Sequence, residues 1–145
     1  MIDLKKEFVD TNVLVYAYNA SAPAKQTKAK TLLTGLWNSQ KGCVSLRVLQ
    51  EFYTVVTRKI PSPLIPDTAA LIISDYGNWP CHTLDVNDLL EAIRIQQRYD
   101  LSFWDALIIC SSIKLDCKII WSEDFNNSQF YEGIKVLNPF LELPN

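Results

Sequence analysis

The feature that most limits what this chain can fold into is an alternation. Apolar runs of strand length, EFVD, CVSL, CHTLDV, CKIIW and IKVLNPF, are separated by longer segments in which apolar residues recur every three to four positions. Repeated switching between these patterns builds βαβ units, whose strands lie parallel and whose helices cover the sheet. The spacing predicts a first strand ending at Asp10 and a helix over Thr11 to Tyr18, which Asp10 or Thr11 can cap. Pro23 opens a second helix with Ala29, Leu32, Leu33, Leu36 and Trp37 on one face, leaving Lys25, Lys28 and Lys30 largely on the wet side. A third helix runs from about Arg47 to Lys59, where the segment IPSPLIP stops it. Further helices are expected over Asp67 to Tyr76 and Asn87 to Tyr99. The segment LSFWDALIICSSIKL is apolar nearly all round and so belongs at the centre. The expected product is an α/β fold with a parallel sheet of four or five strands between helices.

At 145 residues, 48% of them hydrophobic, the chain has material for one core, and a single domain over residues 1–145 is expected. The formal charge of -2 lacks the strongly basic footprint of a protein that grips nucleic acid mainly by neutralising phosphates. Any such contact must be local. Cys43, Cys81, Cys110 and Cys117 show no CxxC spacing and sit in apolar stretches, as reduced, buried thiols do. The N-terminal MIDLKKEFVD has no signal-peptide pattern and no apolar run spans a bilayer, so a soluble, cytoplasmic protein is expected.

In an open parallel α/β sheet, ligands bind at the carboxyl ends of the strands. Asp10 ends the first strand and Asp124 lies just beyond CKIIWS, so both belong on that edge. Glu51 has Val48 and Val55 as helical neighbours, beside an apolar stripe, and Asp105 has Leu101, Ile108 and Ile109. An ionised carboxylate in such surroundings needs a positive partner or a metal. Each acid has an ordinary alternative. Asp10 can cap the next helix, Asp105 can complete a capping box with Ser102, Asp124 can form a turn, and Glu51 can be a partly exposed helix residue. Four such coincidences at one end of one sheet are a weaker account than one shared site. Like charges gathered there require cations, and hard oxygen ligands suit Mg²⁺ or Mn²⁺.

FVDTNVLVYAY, VLQEFY, LSFWDALI and WSEDF, in this order, with IKVLNPF closing the chain, resemble the signature of PIN domains, specifically the bacterial VapC-type toxins. The resemblance implies a PIN-like three-layer α/β/α fold and an acidic site on Asp10, Glu51, Asp105 and Asp124, with one or two Mg²⁺ or Mn²⁺ ions. It also implies supporting roles for Thr11, Asn12 and Ser122. Some relatives carry a further acid shortly after WSEDF, where this chain has Asn126 and Asn127, so Glu123 is the nearest replacement. The activity implied is endonucleolytic hydrolysis of RNA, with homodimer formation and a VapB-type antitoxin as partner. Metal held by Asp10 and Asp105 would activate a water, while Glu51 and Asp124 complete the ligand set or orient that water. RNA contacts are assigned to Arg47, Lys25 and Lys28.

His82, the chain's single histidine, falls in an expected strand remote from these motifs and is read as structural. Without a histidine partner for Ser or Cys, a GxSxG or a P-loop, nucleophilic triads and nucleoside-triphosphate chemistry lack support. A phosphoacceptor signalling domain would need adjacent acids after the first strand, where this chain has a single Asp followed by Thr and Asn, and a lysine just after a late strand, where none suitably placed occurs. A PIN-like module that only binds RNA or protein is the remaining alternative.

Overall fold

The computed structural model describes residues 5–141. The elements run β1 (Lys6–Val9), α1 (Thr11–Tyr16), α2 (Pro23–Ser39), β2 (Gly42–Ser45), α3 (Leu46–Arg58), α4 (Pro66–Tyr76) and β3 (Cys81–His82). They continue with α5 (Val86–Tyr99), α6 (Phe103–Lys114), β4 (Cys117–Trp121), β5 (Phe130–Tyr131) and β6 (Ile134–Leu137). The strands form one sheet in the order β3-β2-β1-β4-β6-β5. Every neighbouring pair is parallel except β5 with β6. The chain thus builds outward from β1 on one side, through β2 and β3, then crosses back to place β4 on β1's other side. The reversal beside β1 leaves a crevice at the carboxyl ends of β1 and β4.

Helix α1 packs against both α2 and α3, and α3 against α4, whereas α5 and α6 pack together, with α6 against β2, β4 and β6. The layers are therefore α/β/α. Phe8 and Val9 of the central strand are fully buried, and α6 buries every residue from Ala106 to Ser112. An all-apolar helix can persist only where both sides are covered, which is why this segment lies at the centre.

Two features differ from the sequence reading. The CHTLDV strand is only Cys81–His82, because Asp85 leaves the sheet to cap α5. Its carboxylate accepts from the Asp88 backbone N–H at 2.9 Å, while the Asp88 carboxylate accepts from the Asp85 N–H at 3.0 Å. This reciprocal pairing satisfies two otherwise orphaned donors and moves the helix start to Val86. The sheet also gains an antiparallel edge strand, β5, beyond the five parallel ones. It is joined to β6 by Glu132 and Gly133, both at positive φ, the conformation that tight hairpins require. Glutamate is not a usual signal for that turn. Here it is held by Arg94 and Arg98 and by the Tyr99 hydroxyl, which accepts from its backbone N–H at 2.9 Å. Smaller differences are that α1 ends at Tyr16, two residues early, and that only Ile134–Leu137 of IKVLNPF is strand.

His82 is structural, as expected. Its Nδ1 lies 2.8 Å from Ser111 Oγ and its Nε2 3.0 Å from Asp88 Oδ2, tying β3 to α5 and α6. Cys43, Cys110 and Cys117 are buried, Cys81 is half-buried, and all four are free thiols. Among the described residues no helix is long and apolar enough to cross a membrane. The chain ends that were expected to bound the domain lie outside the described residues.

Candidate active site

The four acids arrive from four directions. Asp10 follows β1, and its backbone N–H donates to the Trp121 carbonyl across to β4 at 3.0 Å. Its Oδ1 accepts from the Thr11 N–H at 2.7 Å, so the ordinary capping role expected of this aspartate is real. Capping occupies one oxygen only. Oδ2 points across the crevice and accepts from the Ser122 hydroxyl at 2.7 Å.

Asn12, in the first turn of α1, joins the two strand ends. Its Nδ2 donates to Asp124 Oδ2 at 3.0 Å, to Ser122 Oγ at 3.2 Å and to Asp10 Oδ2 at 3.4 Å. Its Oδ1 accepts from the Glu123 N–H at 3.3 Å. Since one nitrogen touches both carboxylates, Asp10 Oδ2 and Asp124 Oδ2 are separated by no more than those two contacts laid end to end. Ser122 closes the ring by accepting from the Asp124 N–H at 3.1 Å. Short polar side chains bonding to nearby backbone N–H groups are what stop β4 here and turn the chain outward.

Asp105 stands in the first turn of α6, where Ser102 caps the helix by accepting from the Asp105 N–H at 3.1 Å. Its carboxylate is half-buried. Glu51 is a correction to the sequence reading. It does stand beside the apolar stripe, but on the wet side of it, the partly exposed alternative: its side chain is exposed and its carboxylate lies 3.7 Å from Arg47 one turn earlier. The buried face of α3 is Val48, Leu49, Phe52 and Val56, and Glu51 falls just off it. It nevertheless reaches the same place as the others. A cavity of about 330 Å³ is lined by Asp10, Glu51, Asp105 and Asp124, together with Arg47, Lys59 and Trp104. It adjoins a second, of about 260 Å³, that shares Asp10, Glu51 and Asp124 and adds Asn12 and Glu123.

The electrostatics of this cleft are one-sided. Asp10 is only 6% exposed, and burial pushes its carboxyl up to about 7, against the lowering effect of the Ser122 and Thr11 hydrogen bonds. The charges of Asp124 and Asp105 add to the rise. Asp105 is raised too, by burial first and then by Asp124. Among the described residues no Lys, Arg or His makes an ion pair with Asp10, Asp105 or Asp124. The protein therefore holds three neighbouring carboxylates whose charges it does not itself neutralise. Among the described residues no three acidic, histidine or cysteine side chains are drawn close enough to form a metal-holding group. The four carboxylates are all oxygen donors on one cleft, the kind that hard divalent ions prefer, and three of them lack a cationic partner among the described residues.

The cations expected near RNA are distributed unevenly. Arg47 lines the acidic cleft, as does Lys59, which no sequence motif marks. Lys25 is engaged within the protein, 3.1 Å from Glu123 and 3.2 Å from the Tyr16 hydroxyl. That bond also occupies the acid nearest to replacing the one missing after WSEDF. Lys28 lines a different and larger hollow, about 660 Å³, with Leu32, Trp121 and Pro139 and none of the four acids.

A doubly flanked parallel sheet with an acidic cleft at its switch point defines the class: an α/β domain built to bring carboxylates together at strand ends. The chain belongs to the PIN domain family, whose model matches residues 8–132. It is similar in fold to a chain of a toxin-antitoxin complex from Klebsiella pneumoniae, with TM-score 0.69 and 14% identity over 92% of this chain and 98% of that one. It is also similar to VapC20 of Mycobacterium tuberculosis, a toxin that cleaves the sarcin-ricin loop, with TM-score 0.60 and 22% identity over 79% and 87%. No curated protein matches the chain.

Proposed function

We propose that this protein is a metal-dependent endoribonuclease, and that it acts as the toxin of a VapBC-type pair. The observation that carries the reading is the cleft in which four separate segments place Asp10, Glu51, Asp105 and Asp124, three of them without a cationic partner. Family membership and the fold shared with toxin structures support it. Asp10, Asp105 and Asp124, with Glu51, would hold Mg²⁺ or Mn²⁺, which when bound supplies Lewis acidity and a stronger nucleophile at neutral pH. Asp10 is fixed in advance by its bonds to Thr11 and Ser122, and Asp124 by Asn12, so little conformational freedom is lost when a cation and phosphate arrive. Glu51, exposed and loosely held, is free to adjust to an attacking water. Arg47 and Lys59 offset the negative wall and let a phosphodiester approach. Water then displaces one ester oxygen from phosphorus.

A VapB-type antitoxin that covers the acidic cleft, and a homodimer, belong to the same proposal. The test is incubation of purified protein with single-stranded RNA in Mg²⁺, in Mn²⁺ and in chelator, beside Asp10→Asn. Cleavage that requires the metal and disappears in the variant is expected. Equal cleavage in all lanes signals a contaminating nuclease and no activity of this site. No cleavage in any lane, with RNA still bound, favours the inert binding module, a reading to which the spread of the acids gives some weight.

A further inference from the structure

Trp104 is the least explained side chain on the wall of the cleft. It occupies the second position of α6, directly before Asp105, and is 56% exposed. Nothing in the packing of α6 requires an indole there, since the buried face of that helix begins at Ala106. Its partner comes from another element: the Arg47 guanidinium of α3 lies 4.0 Å from the ring centroid. Phe103 meets the ring edge-on at 5.4 Å. A wide, flat, half-exposed surface, with the Arg47 guanidinium over one face and Phe103 against it, thus stands beside the acids that would handle phosphate.

We propose that Trp104, steadied by Arg47, is a platform on which a base next to the scissile phosphate stacks, selecting single-stranded RNA. The proposal rests on the reading of the cleft as an RNA-hydrolysing site and names how that site holds its substrate. The charge complementarity is local: Arg47 and Lys59 line the same cavity and can take the phosphates flanking the stacked base. A chain with a net charge of -2 cannot hold RNA by a broad basic field, so much of its grip must come from contacts other than charge. Aromatic stacking supplies such a grip and tolerates any base, because every base has a π-face. In a duplex those faces are already stacked on neighbours, and the platform is out of their reach. Trp104 is in this scheme a positioning residue, and the acids remain the reacting groups.

The Asp10→Asn variant of this chain, expected to bind RNA without cutting it, serves as the parent. Its affinity for a fluorescein-labelled single-stranded oligoribonucleotide and for the matching duplex is measured by anisotropy in Mg²⁺ at several salt concentrations. Adding Trp104→Ala is expected to weaken single-strand binding roughly 5- to 150-fold, the range that loss of one stacking partner gives. Trp104→Phe should restore most of the affinity, and neither change should alter the salt slope. Arg47→Ala should instead make that slope shallower. In the cleaving protein, Trp104→Ala should raise KM more than it lowers kcat. Unchanged single-strand affinity and KM in Trp104→Ala, with metal-dependent cleavage intact, overturns the platform and leaves the nuclease reading standing. If the parent binds no RNA and the unmodified protein cleaves none, both fall together. Unchanged RNA binding with an altered oligomeric state by sedimentation would assign the ring to a protein contact, which also overturns the proposal.

Discussion

Replacing Asp10 by Asn should make the metal-free protein more stable, although it removes a residue of the site. The carboxyl has its ordinary value near 3.8 in the unfolded chain and is pushed up to about 7 by burial in the folded one. Between those values the folded state keeps a proton that the unfolded chain has released, so stability is full below about pH 4, declines as pH rises and levels off above about 7. A rise of about three pH units at about 1.4 kcal/mol each sets a ceiling of about 4 kcal/mol for the cost of the buried charge. Asparagine removes the charge and keeps an oxygen to accept from the Thr11 N–H, but its Nδ2 then stands where Oδ2 was and cannot accept, so the bond from the Ser122 hydroxyl is lost and the one from Thr11 weakened. That loss is about 1–2 kcal/mol, leaving a net gain of about 2 kcal/mol at pH 8. With a urea m-value of about 2 kcal/mol/M, the midpoint should rise by about 1 M. The assay is urea unfolding of both proteins from pH 4 to 8 in chelator, then in excess Mg²⁺. The advantage should vanish toward pH 4. In metal it should narrow or reverse, because an ion held at 100 times its Kd stabilises the unmodified protein by about 2.7 kcal/mol. A variant less stable at every pH, or a difference that ignores pH, would refute the claim that the fold carries this charge uncompensated.

Ser122→Ala removes the hydroxyl that holds Asp10 and Asp124, so metal-dependent cleavage should fall about 10- to 100-fold while the far-UV circular dichroism is unchanged. Asn12→Ala should act similarly, and the double variant should lose less than the product of the two, since both serve one network. His82→Ala leaves Asp88 without its ring partner and Ser111 without a hydrogen bond in a buried site, costing about 2–3 kcal/mol in urea unfolding with little effect on residual cleavage. Gly42→Ala would place a Cβ 2.5 Å from the Trp79 ring, so the indole or β2 must shift; a loss of about 1–3 kcal/mol and an altered near-UV signal are expected.

The sequence by itself determined the layer architecture, because alternating strand runs and helical stripes have few ways to bury their apolar faces, and α6, apolar nearly all round, could only be central. It also placed Asp10 and Asp124 on the functional edge, since that edge is where parallel strands end. What it could not supply was the disposition of each acid about that edge. Periodicity put Glu51 beside an apolar stripe, but a rotation of a few tens of degrees about the axis of α3 separates stripe from water, and only packing against α1 and α4 fixes it. The short β3 depended on Asp85 and Asp88 capping each other, a local bond that outcompeted two or three strand pairings. The hairpin at Glu132 depended on arginines that approach from α5, far away in sequence. The same holds for the cleft's electrostatics. Asp10 is an unremarkable capping aspartate until Ser122, Asp105 and Asp124 are folded around it, and its charge becomes costly only because burial and like-charged neighbours arrive together. Tertiary structure decides such properties because they are set by distances between segments well separated along the chain, as far as 112 residues for Asp10 and Ser122.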